Sequence, residues 1–525
     1  MKPDINNAEA IYSAIDPDAG MPLQRSVYER FASAILDGRF RPGERLPSTR
    51  DLAHTLGVAR NTVAWAFEQL AVEGFIETRH GSGSFVSTQL PGNGSMRQAI
   101  NAAAPQTPKP PLSSRSQRFS EVARSLQIPQ RPVPFRINMP AVDAFPVALW
   151  RRLMKSLLSE NSIKAGYLLG ETEPAGYGPL REAIAAHLMI SRGVTCTPEQ
   201  VLIVAGAQQG LDLAARLLLD PGDKVWCEDP GFPGAVAAMR AAGARIGAIP
   251  VDHDGFDVEA GMAMHPDARL AIVCPSSQFP LGSTLSLPRR LALIEWARRS
   301  HGWIIEDDYD SEFRYRGRPV RSLQGLDGGQ RVVYVGTFSK VLFPGLRLAY
   351  LVVPKPYVEL FVNARIVAGR QSPTFEQVVV ERFMSEGHLT RHIARMRRLY
   401  AERREILIDT VTRTLPDLIR LQPLDTGLQM LGWLPERWDD GEIARRAAKT
   451  GLEITPLSRL TIEQPRPPAL LLGFGNFGRT DMRAGAQKLR AVLEAYRQEE
   501  AAEPGDLRKR RGKVRSAALR REQAP

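Results

Sequence analysis

The chain holds 525 residues, 43% of them hydrophobic, with a formal net charge of +12. Its length suits about two to four globular domains, and no apolar run approaches the ~20 residues of a membrane span. The opening segment MKPDINNAEAIYSAIDPDAG carries acids where a secretory signal has a basic flank and an apolar core, so neither membrane insertion nor export is expected. Cys196, Cys227 and Cys274 are widely spaced and form no CxxC, which speaks against a disulfide framework or a metal centre and fits a reducing cytoplasm. The positive charge suggests a polyanionic partner but is unevenly placed: residues 1–90 hold 9 Lys+Arg against 11 Asp+Glu, whereas 505–525 hold 8 against 2.

The first periodic segment, Gln24 to Asp37, puts Val27, Tyr28, Phe31 and Ile35 at helical spacing and stops at Gly38. LPSTRDLAHTLG follows, with Ser48 three residues before Asp51 in a capping-box-like pattern. Gly57 breaks that helix, and VARNTVAWAFEQLAVEG resumes with Val63, Phe67 and Leu70 turned inward. Helix, tight turn, helix is the helix-turn-helix pattern. The second helix begins with Arg60, Asn61 and Thr62, where the macrodipole favours phosphate and side chains reach base edges; Arg60 is the first choice for base reading. FIETRHGSGSFVS then alternates apolar and polar around a flexible tip, as a two-stranded wing would.

Residues 90–134 are rich in Pro, Ser, Ala and Gly and read as a linker. From 135 to 499, β-branched runs such as VLIVAGA, ARLAIVCP, HGWIIEDDY and RVVYVGTF alternate with amphipathic helical stretches, which predicts an α/β fold around a largely parallel sheet. Residues 500–525 form a basic tail expected to be disordered until it meets a partner.

The α/β region carries a chemical constellation. In GTFSKVLFPGLRLAY, Lys340 follows a strand; alone it would be an ordinary solvated edge residue. Thr337 lies three residues before it and Arg347 seven after, a hydroxyl and a guanidinium suited to a phosphate ester, while the lysine amine can condense with an aldehyde of the same molecule. A molecule carrying both groups is pyridoxal 5'-phosphate, whose site would also need a carboxylate on the ring nitrogen. WIIEDDYDSEF supplies Asp307 for the nitrogen and Tyr309 for the ring hydroxyl. An acidic cluster after a strand also suits a solvated loop or a metal, but no histidine accompanies it at ligand spacing. CEDPGFPG offers Phe232 for stacking, and VAGAQQG offers backbone N–H groups around Ala207 and Gln208 at a helix N-terminus.

Two resemblances become specific on these residues. GRFRPGERLPSTRDLAHTLGVARNTVAWAFEQLAVEGFIETRHGSGSFV resembles a GntR-type winged helix (residues 20–89), which implies DNA contacts at Arg50, Arg60 and Thr62 and at His80 and Gly81 in the wing. The α/β motifs, in their order, resemble fold-type I aminotransferases. Together with SLPRRLALIEWAR, YDSEFRY and GHLTRHIARMRRLYAERR, the chain from about 20 to 497 is similar to MocR-type (GabR-like) regulators. That resemblance implies double-stranded operator DNA, an amine or amino-acid-like effector reacting at Lys340, and a head-to-tail homodimer. Two rival readings stay open: an active aminotransferase with an appended DNA-binding domain, and a DNA-binding regulator with a vestigial cofactor fold.

The chain departs from the family pattern in places. Glu171 stands where a tyrosine is expected near the cofactor phosphate, Ser277 replaces a histidine, and Phe279 replaces the asparagine of active aminotransferases, as is usual for the regulators. In ALLLGFGNFG, Leu471 occupies the place of an arginine for the substrate carboxylate, a loss worth about 1.5–3 kcal/mol. Either the effector is not an ordinary amino acid, or Arg479 or Arg370 takes over.

Overall fold

The computed structural model describes residues 21–79, 81–89, 133–159, 172–317 and 320–502, together with the isolated residues 11, 113, 116, 119, 123, 168 and 170. The chain divides into two compact units, 1–112 and 113–525. Among the described residues no helix is long and apolar enough to cross a membrane.

In the first unit, α1 (Leu23–Leu36), α2 (Thr49–Leu56) and α3 (Arg60–Val72) surround one apolar core. The i, i+4, i+8 set Val27, Phe31 and Ile35 is buried, and Phe31 meets Phe40 at 5.8 Å and Phe67 at 5.7 Å between ring centroids. Tyr28, expected on the same face, is only half-buried. The Ser48 hydroxyl oxygen caps α2 by accepting from the Asp51 N–H at 3.2 Å. The reciprocal arm of a capping box is replaced: Asp51 is too short to reach back to the Ser48 backbone, and its carboxylate accepts the Ser48 hydroxyl at 2.7 Å. Gly57 ends α2 in the left-handed region at φ 68°, which turns the chain sharply into α3. The wing is an antiparallel pair, β1 (Ile76–Arg79) and β2 (Gly83–Val86), running from Ile76 opposite Val86 to Arg79 opposite Gly83.

The second unit is built on an eight-stranded sheet. Its strands are β3 (Val201–Val204), β4 (Lys224–Asp229), β5 (Arg245–Asp252), β6 (Gly255–Phe256), β7 (Ala268–Val273), β8 (Trp303–Asp308), β9 (Val332–Thr337) and β10 (Ala349–Val352). The order is β3-β10-β9-β8-β7-β4-β5-β6. The central ladders β5/β4, β4/β7, β7/β8 and β8/β9 are parallel, and these strands are apolar on both faces because helices cover both. The sheet is nevertheless mixed: β10 runs antiparallel to β9 and to β3, and β6 to β5. The reason is local. Between Thr337 and Ala349 there is only a short loop with a single 3₁₀ turn, too little for a parallel crossover, so the chain reverses. That reversal holds Lys340 and Arg347 at the end of the sheet where the parallel strands finish, the usual ligand edge of an α/β sheet.

A four-stranded antiparallel sheet, β11 (Arg420–Gln422), β12 (Gln429–Trp433), β13 (Thr455–Pro456) and β14 (Ala469–Gly473), in the order β11-β12-β14-β13, forms the C-terminal part of this unit. The last helix continues from Arg479 to Ala502, past the expected boundary at 499, and the rest of the basic tail lies outside the described residues. Asp229, at the end of β4 and fully buried, joins the two sheets: its carboxylate accepts the N–H groups of Ile462, Glu463 and Gln464 at 2.8, 2.7 and 2.8 Å. Removing it strands three donors at once. Asp229→Ala is expected to destabilise the protein by about 2–4 kcal/mol in urea unfolding, while Ser48→Ala, losing one exposed cap, costs about 1 kcal/mol.

Candidate functional site

The ends of β3, β4, β8 and β9 converge on a group of residues named from the sequence. Lys340 follows β9, and its Nζ donates to the backbone carbonyl of Asn138 at 2.7 Å. Asp307, the penultimate residue of β8, is 5% exposed, and its Oδ1 has no hydrogen-bond partner among the described residues. Phe232 and Asp307 bound the same small cavity of about 10 Å³, together with Glu228, Cys227, Cys274 and Ile272. Tyr309 stands edge-on to Phe279 at 6.3 Å, and Phe279 edge-on to Phe232 at 6.2 Å, so three rings line one side of the group.

At the end of β3 the chain turns through Gly206, φ 104°, into α4 (Ala207–Leu218). The Arg347 guanidinium donates to the Ala205 carbonyl at 3.1 Å and lies so close that a Cβ on Gly206 would sit 3.1 Å from its Nη2. An exposed cation therefore borders the first turn of a helix, where the Ala207 and Gln208 N–H groups have no partner among the described residues. The Gln208 side chain turns toward the Phe232 turn instead, its Nε2 donating to the Gly234 carbonyl at 2.9 Å. The Thr337 hydroxyl oxygen accepts from the Ser339 N–H at 3.1 Å, which leaves its proton available.

The electrostatics of this edge are unusual. Burial pushes the Lys340 amine down to about 8, against the opposing pull of Asp310 and Asp307. Burial and the neighbouring Asp308 charge push Asp307 up to about 7 and Asp310 up to about 8. Asp308 itself is paired in the interior, accepting from Arg192 Nε at 2.7 Å and from the Tyr334 hydroxyl. Glu306 is fully buried and accepts the Leu323 and Gln324 N–H groups at 3.0 and 2.9 Å.

Several of these residues escaped the sequence reading. Asn138 and Arg136 lie about 200 positions before Lys340, yet one supplies its hydrogen-bond acceptor and the other the cation whose field lowers its pKa further. Arg192 carried no local signal except its place in the last turn of an amphipathic helix. Asp310 stood inside the quoted YDSEFRY, where its burial could have been suspected from the apolar strand before it.

The departures from the family pattern have physical outcomes. Ser277, 4% exposed, shares a 2.7 Å hydrogen bond with Thr426. Leu471 is fully buried on β14 among Phe279, Leu431, Leu457, Leu460 and Ala469, with Phe232, Tyr309 and Ile137 against the same cluster. The place expected to bind a carboxylate is thus an apolar wall continuous with the aromatic rings. Arg370 and Arg479 are exposed. Arg136, whose charge lowers the Lys340 pKa, is paired with Glu453 at 3.8 Å. Glu171 lies outside the described residues.

In the first unit, Arg60 and Asn61 are exposed at the start of α3, Thr62 is half-buried, and Arg50 is exposed on α2. The N-cap of α3 is Ala59, which offers no side-chain hydrogen bond, so that helix end keeps free donors for an external anion. Gly81 is exposed at the wing tip, and His80 lies outside the described residues. Beside the tip, Arg79 stacks on Phe85 with its guanidinium 4.8 Å from the ring centroid.

A winged helix-turn-helix and an aminotransferase-type α/β unit in one chain define the class of protein. Residues 23–86 match the gntR family of bacterial regulatory proteins, and residues 150–470 match aminotransferase class I and II. A probable rhizopine catabolism regulatory protein, MocR, of Rhizobium meliloti is 38% identical over 92% of this chain and 96% of its own. The HTH-type transcriptional regulator TauR of Rhodobacter capsulatus is 34% identical over 83% of this chain and 88% of its own. Among solved structures, the α-aminoadipate aminotransferase LysN of Thermus thermophilus, complexed with N-(5'-phosphopyridoxyl)-L-leucine, is similar with a TM-score of 0.66 and 27% identity, covering 73% of this chain and 97% of that one. The chain belongs to the MocR-type transcriptional regulators, with a gntR-family head and a class I and II aminotransferase body.

The lowered pKa of Lys340 can be read directly. In the cofactor-free protein, trapping of a small aldehyde on Lys340 by borohydride is expected to rise with pH through a midpoint near 8, because the free amine reacts and the ammonium does not. A midpoint near the ordinary 10.5 would mean the site does not desolvate the amine.

Proposed function

We propose that this chain binds double-stranded operator DNA through its winged helix and pyridoxal 5'-phosphate through its aminotransferase-like unit, and that an amine or amino-acid-like effector captured at Lys340 alters operator binding. The observation that carries the cofactor reading is the Asp307 carboxylate: a buried acid with an unpartnered oxygen beside a desolvated lysine. A buried polar atom without a partner is costly, and a ring N–H would satisfy it.

Pyridoxal phosphate, when bound, supplies an aldehyde that condenses reversibly with primary amines. In this reading Lys340, its pKa lowered to about 8, would yield its free amine at a much lower pH than an ordinary lysine, and Asp307 would hold the proton on the ring nitrogen. Phe232 would stack against the ring and Tyr309 would serve its hydroxyl. Ala207 and Gln208 give backbone N–H groups to the phosphate, with the Thr337 hydroxyl and the Arg347 guanidinium beside them. The LysN complex with a phosphopyridoxyl amino acid supports this use of the fold, and the names of the MocR and TauR relatives support the regulatory role. Arg50, Arg60, Asn61, Thr62, His80 and Gly81 are the proposed DNA contacts, presented in pairs by a head-to-tail homodimer in the cytoplasm. The apolar wall at Leu471 favours sensing over transamination of ordinary amino acids, since Leu471 itself offers a carboxylate no hydrogen bond.

Purified full-length protein is expected to absorb visible light as a lysine-bound cofactor does, and Lys340→Ala to lose that band; a colourless wild type that cannot be reconstituted overturns the reading. Arg347→Ala is expected to weaken cofactor binding about 10- to 100-fold, the loss of one charge-assisted contact, measured by titrating cofactor-free protein.

A further inference from the structure

The outer ridge of α3 is not composed like the surface of a merely solvated helix. Asn61, Trp65, Glu68 and Val72 recur at i, i+4, i+7 and i+11 and so form one line, directly opposite the buried Val63, Ala66, Phe67 and Leu70. On that line Trp65 is 38% exposed and Val72 82% exposed. No other ring stacks on Trp65 among the described residues. An unstacked indole held at the centre of an outward helix face exposes apolar area that the domain core does not use.

The setting says what could cover it. Trp65 lies one turn beyond Asn61, about 6 Å along the axis at 1.5 Å per residue, and the uncapped, Arg60-bearing end of α3 precedes it. In a helix-turn-helix the second helix enters the major groove end-first, and the groove floor there offers one apolar group, the thymine 5-methyl. We propose that Trp65 is a base-reading residue whose indole seats on the 5-methyl of a thymine, next to the base pairs within reach of Arg60 and Asn61. The proposal rests on the operator-binding reading above and adds a sequence preference to it. Trp65 makes apolar contact only, so it selects by methyl presence rather than by hydrogen bonding.

The test uses full-length protein with a duplex that it selects from a random-sequence library. Each thymine of that duplex is replaced singly by deoxyuridine, which deletes the 5-methyl and keeps the Watson–Crick edge. One replacement in each half-site is expected to weaken wild-type binding about 5-fold or more and to leave Trp65→Ala unaffected. Trp65→Phe is expected to retain part of the discrimination. Unchanged circular dichroism and melting of Trp65→Ala are expected, because the side chain is outside the core. Two results sink the proposal: no thymine whose methyl matters to the wild type, or a Trp65→Ala protein that remains equally sensitive to the same replacement. Equal weakening of selected and random duplexes by Trp65→Ala also sinks it, since that marks a backbone contact. Failure of the wild type to enrich any sequence would instead overturn the operator-binding reading on which the proposal rests.

Discussion

Four acids at the end of β8 impose the constraint to which the rest of the large unit answers. Glu306, Asp307, Asp308 and Asp310 are all at most 8% exposed, and burying a carboxylate is prohibitive unless something compensates it. Each acid is handled differently. Glu306 takes two backbone N–H groups from the start of the helix Leu323–Asp327, which fixes that helix under the sheet. Asp308 takes the Arg192 guanidinium, which also donates to the Val320 carbonyl and so ties the preceding loop to the helix Gly178–Arg192. Asp307 and Asp310 each keep an oxygen without a partner among the described residues, and both act on Lys340 across the site. Glu306 and Asp308 are hydrogen-bonded within the fold, although burial still pushes Glu306 up to about 7, whereas Asp307 and Asp310 each leave an oxygen unpartnered.

Burial drives the lysine and the acids toward their neutral forms, and their mutual attraction limits the shift. An isolated amine in this position would be driven far toward its neutral form, and isolated acids likewise. Together they meet near neutrality, with Lys340 at about 8 and Asp307 at about 7, so small changes in occupancy change protonation. The reversal after β9 keeps Lys340 over the strand ends, beside these acids, rather than in a helix.

How much of this could be read from the sequence follows from what is local. The strands, the glycine turn between α2 and α3, and the motif residues Phe232, Asp307, Tyr309, Lys340 and Arg347 all carry short-range patterns, so their elements were legible. The mixed sheet was not, because alternating apolar runs give strand identity without direction; the length of the Thr337–Ala349 connection contained that information and was the better guide. Asn138, Arg136 and Arg192 were illegible for a different reason. Their role comes from contacts with Lys340 and Asp308 that span 202 positions to Asn138 and 116 to Arg192, which no window of periodicity reveals. Conversely, Leu471 was conspicuous in sequence as a departure, but only its packing against Phe279 turns a missing arginine into a continuous apolar wall.

For an effector to regulate DNA binding, it must bind one arrangement of the protein better than another; affinity alone shifts nothing. The site offers a physical source for such a difference. On the proposed reading, Lys340 would be freed when an effector amine replaces it at the cofactor, and a free lysine with a pKa lowered only to about 8 would be largely protonated at neutral pH. A new positive charge then stands among Asp307, Asp310 and the Asn138 carbonyl, in a buried setting where charge is poorly screened. The segment carrying Asn138 accepts the Lys340 hydrogen bond, so it is the stretch most directly exposed to that change. A neutral ligand filling the apolar wall without displacing the lysine would leave the charge balance as it was. Chemical capture therefore couples more strongly than simple occupancy, which gives a regulator reason to keep the lysine of an enzyme while dispensing with the arginine that would hold its substrate.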